Sequence, residues 1–144
     1  MVPRRTGALL NVGSTAAFQP FPGQAGCAAA KAFVRTFSEG LRAELTGTAV
    51  TVAVLHPGPV RTEFLSAAGM DEREFADAFP KYMWLPPRRV AAIGIESLDQ
   101  DKGSVIAGLP NQISTRIMQL IPRGILLKVL ASRHRALKRD RASR

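Results

Sequence analysis

Residues 11–31 read Asn-Val-Gly-Ser-Thr-Ala-Ala-Phe-Gln-Pro-Phe-Pro-Gly-Gln-Ala-Gly-Cys-Ala-Ala-Ala-Lys. The apolar run over residues 8–12, interrupted only by Asn11, predicts a strand covered on both faces. It empties into Gly13 and Ser14, a Pro/Gly-rich loop follows over residues 19–23, and a helix rich in small residues then opens. Cys27 and Lys31 stand four apart in that helix, which places both on one face a turn apart. Ser14 falls at the exit of the strand, where open parallel sheets gather their ligands.

Working outward, residues 24–45 predict one helix. Ala25, Ala28, Ala29, Ala32, Phe33, Phe37, Leu41 and Leu45 form its apolar stripe at three-to-four spacing, and Gly47 closes it. Residues 48–55 are a β-branched run and predict a second buried strand, ended by the turn His56-Pro57-Gly58-Pro59. Strand, helix and strand of these lengths predict a right-handed parallel crossover, hence an α/β fold. Residues 64–82 predict one or two short helices forming a mobile flap, with Met83-Trp84-Leu85 after it as pocket lining. Pro86-Pro87 opens a helix over residues 88–98, and residues 103–108 predict a short third strand. A long helix is expected from Ser114 to about Leu137, kinked or broken at Pro122. Its apolar positions are Ile113, Ile117, Leu120, Ile121, Ile125, Leu126, Val129 and Leu130.

The Ser14 and Lys31 pattern resembles the short-chain dehydrogenase/reductase family, which carries a Ser and, about a dozen residues later, Tyr-x-x-x-Lys. Ser14 stands at the Ser position, Lys31 at the Lys position, and Cys27 where the family has Tyr. The resemblance implies the C-terminal half of a Rossmann-like doubly wound parallel sheet: about three parallel strands, flanking helices and a C-terminal amphipathic helix. It implies NADP- or NAD-linked interconversion of a carbonyl and an alcohol on a small-molecule substrate. In that reading Ser14 hydrogen-bonds the substrate oxygen, and Lys31 holds the nicotinamide ribose and lowers the pKa of the neighbouring acid. Pro57-Gly58-Pro59-Val60-Arg61-Thr62 resembles the family segment that meets the nicotinamide carboxamide, with Pro57, Gly58, Val60 and Thr62 as cofactor contacts. Cys27 holds an ionisable thiol, but its sulfur is bonded to Cβ, whereas a Tyr oxygen lies a full ring beyond. A substrate seated for Tyr is then beyond the ~2.6–3.2 Å that general acid catalysis needs. The family's Gly-x-x-x-Gly-x-Gly phosphate loop has no counterpart in these 144 residues. The expectation is therefore a partial fold, truncated and inactive as it stands. One alternative is a dead remnant serving as an interaction module; another is a peripheral membrane-surface binder using the basic C-terminal helix.

Length and composition narrow the partners. With 144 residues the chain suffices for one domain, expected over residues 1–132 with a basic disordered tail over 133–144. The net charge is +9, and residues 133–144 hold six Lys/Arg against one Asp, so the basicity is largely a property of the tail. No nucleic-acid motif accompanies it. The single cysteine excludes a disulfide framework and fits a reducing, cytoplasmic setting. Two His and one Cys, far apart, predict no metal site. No apolar run reaches 18 residues, and residues 1–7 have no signal-peptide core. By the resemblance, a second copy of the chain is expected to pack on the 24–45 helix.

Overall fold

The two apolar runs pair as parallel neighbours. β1 (Gly7–Val12) lies beside β2 (Val50–His56), with Gly7 opposite Val50 and Val12 opposite Leu55. β3 (Ser104–Ile106) takes the other edge of β2, with Ser104 opposite Val54, so the sheet order is β1-β2-β3. This computed structural model describes residues 1–67, 69 and 72–133. The expected tail falls almost wholly on residues 134–144, outside the described residues.

β2 is the centre of the molecule. It has a neighbour on each edge, and Val52, Ala53, Val54 and Leu55 are all buried. Only a continuous apolar run tolerates that position, which is why its sequence lacks alternation. Helix α1 (Ala25–Glu44) links β1 to β2 and matches the predicted helix to one residue at each end. Asn11, the polar break in the first strand, donates from Nδ2 to Ser38 Oγ at 2.9 Å, and Ser38 donates on to the Val34 carbonyl. The break is thus a polar rivet between strand and helix, with both groups satisfied.

α4 (Pro87–Asp99) starts at a proline, as expected, and covers β1 and β2. Leu55, Val90 and Ala107 are the buried centre there, ringed by Leu10, Val60, Leu85 and Ile93. Gly94 lets the helix approach: a Cβ there would stand 2.9 Å from Leu10. The 64–82 segment holds two short helices, α2 (Phe64–Ala67) and α3 (Glu72–Ala78). Leu85 is not simple pocket lining, since it pairs with Val60 and packs in the core.

Two apolar stripes are covered only in part. The α1 stripe splits: Ala28 is buried, but Phe33 and Phe37 are 68% and 51% exposed. The C-terminal helix is broken at Pro122, as expected, into α5 (Leu109–Leu120) and α6 (Arg123–Arg133). It begins five residues earlier than the apolar spacing predicts, because Gly108 at φ 87° turns the chain directly out of β3. Of its apolar positions, Ile113, Ile117, Leu120, Ile125 and Val129 are exposed. Spacing identifies a helix face but not whether another element arrives to cover it.

Candidate active site

The C-terminal ends of β1 and β2 lie side by side and bring the sequence motifs together. Gly13 N–H donates to the Leu55 carbonyl at 2.7 Å, and Thr15 N–H donates to the Pro57 carbonyl at 2.9 Å. Those two bonds tie the Ser14 corner to the Pro57-Gly58 corner. The chain leaves Ser14 into a short 3-10 turn, Thr15–Phe18, capped by Ser14 itself. Its Oγ accepts from Ala16 N–H at 3.1 Å. The cap fixes the oxygen and leaves the hydroxyl proton free to donate.

Lys31 closes the corner from α1. Its Nζ donates to the Val12 carbonyl at 3.0 Å, two residues before Ser14. An ammonium has three donors, and among the described residues one of them is used, so two remain for a ligand. Ser14, Lys31 and the Pro57 backbone therefore share one corner. Cys27 sits a turn before Lys31, half-buried with a free thiol. Val60 is committed to the core beside Leu85, leaving only its backbone for a ligand. Thr62 lies in the turn before α2, its Oγ1 accepting from Phe64 N–H at 3.4 Å. Among the described residues no group of His, Cys, Asp or Glu is arranged to hold a metal, and no helix is long and apolar enough to cross a membrane.

The sequence reading missed what lies beneath this corner. His56, read there as a turn residue, is the last residue of β2 and fully buried. Its Nε2 lies 3.2 Å from Ser104 Oγ on β3, and Phe18 meets its ring edge-on at 4.7 Å. Nδ1 faces Gly13 and the Ser14 backbone with no well-formed hydrogen bond among the described residues, and a Cβ on Gly13 would fall 2.5 Å from it. Burial pushes the imidazole pKa down to about 4, opposed by the Ser14 backbone and Glu39 and reinforced by Arg35. His56 is therefore a neutral prop that ends β2, backs the exit of β1 at Gly13 and reaches the first residue of β3. Asn111 does similar work beside Gly58: Nδ2 donates to the Met83 and Ala107 carbonyls at 3.0 and 2.9 Å. A Cβ on Gly58 would strike its side chain at 2.5 Å. A lone His and a lone Asn carry no spacing signal, so neither was legible before the strands were placed.

A cluster of aromatic rings joins the Pro/Gly loop to the 64–84 segment. Phe21 of the Pro/Gly loop stacks on Phe79 at 6.4 Å, Phe79 meets Phe75, and Phe75 meets Trp84 edge-on. Trp84 donates from Nε1 to the Phe79 carbonyl, and Arg61 lies 5.6 Å over its ring. Tyr82, the sole tyrosine, is 71% exposed.

The family model for short chain dehydrogenases matches residues 1–73. This chain belongs to that family. The NADP-dependent 3-hydroxy acid dehydrogenase YdfG of Salmonella typhi is 49% identical over 76 residues, covering 51% of this chain and 31% of that protein. The sulfoacetaldehyde reductase of Chromohalobacter salexigens is 33% identical over 114 residues, 79% of this chain and 42% of that one. Among solved structures, a short-chain dehydrogenase from Sphingobium yanoikuyae in complex with NADPH superposes with a TM-score of 0.64 and 26% identity. That superposition covers 85% of this chain and 48% of that one. This short-chain dehydrogenase chain thus spans under half the length of these relatives. Its three parallel strands and flanking helices are the Rossmann-like arrangement of those structures.

Proposed function

We propose that this chain forms the substrate and nicotinamide-ribose side of an NADP- or NAD-linked oxidoreductase that interconverts a carbonyl and an alcohol. The observation that carries this reading is the shared corner: Lys31 on the Val12 carbonyl, Ser14 capped with its proton free, and Pro57 bound to Thr15. These groups fit the ribose end of such a cofactor, because the unused Lys31 donors suit its hydroxyls. The Val60 backbone and Thr62 would meet the carboxamide. The bound nicotinamide supplies or accepts the hydride. Ser14 aims its O–H at the substrate oxygen, where charge develops.

The proton step is where this chain departs from its family. Cys27 holds a thiol one helical turn from Lys31, too short to reach an oxygen seated for Tyr. In the 144-residue chain the reading is binding and orientation without turnover. Titration with reduced nicotinamide mononucleotide, followed by amide NMR, tests it. Shifts are expected at residues 12–15, 31 and 57–62 and are lost in Lys31→Ala. Saturating ligand with no shift at those residues refutes it.

A second copy of the chain is the partner proposed for the outer face of α1. Phe33 and Phe37 stack there at 5.9 Å and line an open groove of about 260 Å³ with Thr36, Gly40, Leu41 and Glu44.

A further inference from the structure

Helix α5 is turned inside out relative to its composition. Its polar residues Asn111 and Thr115 are buried, 1% and 5% exposed. Its large apolar residues face water: Leu109 is 66% exposed, Ile113 49%, Ile117 55% and Leu120 84%. The spacing of those four lays them on one stripe of the helix. Asn111 fixes the orientation, since its amide is bound to the Met83 and Ala107 carbonyls and wedged on Gly58. The stripe is therefore presented outward by a rigid anchor, and a contiguous apolar surface of this kind marks an interaction site.

The charge around it says what the surface meets. Residues 109–144 carry nine Lys/Arg and one Asp, a net +8, while residues 1–108 carry eleven Lys/Arg and ten Asp/Glu, a net +1. No acidic residue occurs between Lys102 and Arg139. Arg116 lies at the margin of the stripe, and Arg123 and Lys128 follow on α6, beside exposed Ile125 and Val129. Two copies meeting through this face would bring like charges together, which disfavours self-pairing. Apolar side chains interleaved with cations and free of carboxylates suit a surface that is anionic outside and apolar just beneath.

We propose that α5 and α6 form a docking face for an anionic lipid bilayer. Ile113, Ile117 and Leu120 enter the boundary between headgroups and acyl chains, and Arg116, Arg123 and Lys128 meet the lipid phosphates. The inference does not depend on the reading of the Ser14–Lys31 corner. Vesicle flotation of the full chain tests it, with phosphatidylcholine alone against phosphatidylcholine containing phosphatidylglycerol. Binding is expected only to the anionic vesicles and is expected to weaken with salt. Ile117→Ser with Leu120→Ser should lower vesicle affinity roughly tenfold or more, with an unchanged melting curve because both side chains are exposed. If that variant melts early, Arg116→Gln with Lys128→Gln takes its place: weaker binding supports the face, and unchanged binding overturns it. Absence of binding to anionic vesicles overturns the proposal. So does full binding by the Ser variant, which would assign the effect to the charge of residues 134–144 alone. Loss of an oligomer in the Ser variant, with no vesicle binding by the parent chain, would assign the face to a protein partner and likewise overturn it.

Discussion

Single side chains set the character of the corner, and His56 is the most consequential. Its pKa of about 4 in the fold lies below the ordinary value of 6.5. Between those two pH values the unfolded chain takes up a proton that the folded chain refuses. Stability therefore rises with pH across that window and is lost as pH falls through it, by up to about 3 kcal/mol. Urea melts between pH 7 and pH 4.5 check this, and His56→Asn should flatten the slope. Gly13 is constrained by the same ring. Gly13→Ala places a methyl 2.5 Å from Nδ1 of a side chain with no room to retreat. A loss of about 1–3 kcal/mol is expected by overpacking, visible as a lower denaturation midpoint. Cys27 makes the opposite point, because its identity was legible at once and its consequence is geometric. In the 144-residue chain Cys27→Tyr is expected to give no NADPH turnover, since none of these residues forms the glycine-rich phosphate loop. NADPH oxidation by that variant with a small carbonyl substrate would refute this.

Between elements, the joints are polar and the spans between them apolar. Arg42 of α1 donates to the Val52 carbonyl at 3.0 Å and to Asp101, through both carboxylate and backbone oxygen, at 2.8 Å. The carboxylate raises the Arg42 pKa, and Arg42 holds the Asp101 carboxyl below its usual value. The ion pair is exposed and weak, so the β2 carbonyl carries the joint. Arg42→Met is expected to cost about 1 kcal/mol, and Asp101→Asn distinctly less, as read by thermal melts in low and high salt. The elements themselves were largely legible. α1 came from spacing, α4 from Pro87, and β1 and β2 from unbroken apolar runs. The early start of α5 was not, because a single glycine at positive φ sets it. The start of β2, two residues later than its apolar run, follows from pairing register with β1.

For the whole molecule, the outward faces matter as much as the core. Phe33 and Phe37 leave an aromatic surface on α1. Phe33→Glu with Phe37→Glu is expected to shift the chain to a smaller species in multi-angle light scattering while leaving its circular dichroism unchanged. An unchanged mass would remove a second copy from that face. The sequence by itself determined the parallel strand–helix–strand unit, the family, and the three groups of the corner, because strand runs and i,i+4 spacing are local properties of the chain. It also determined that a thiol stands one helical turn before Lys31. Only the tertiary structure decided that His56 and Asn111 prop the corner from beneath, and which apolar faces remain open. Burial depends on what other elements arrive from a distance, and no local pattern records that: α5 buries its Asn and shows its Ile because Asn111 finds two carbonyl partners inside.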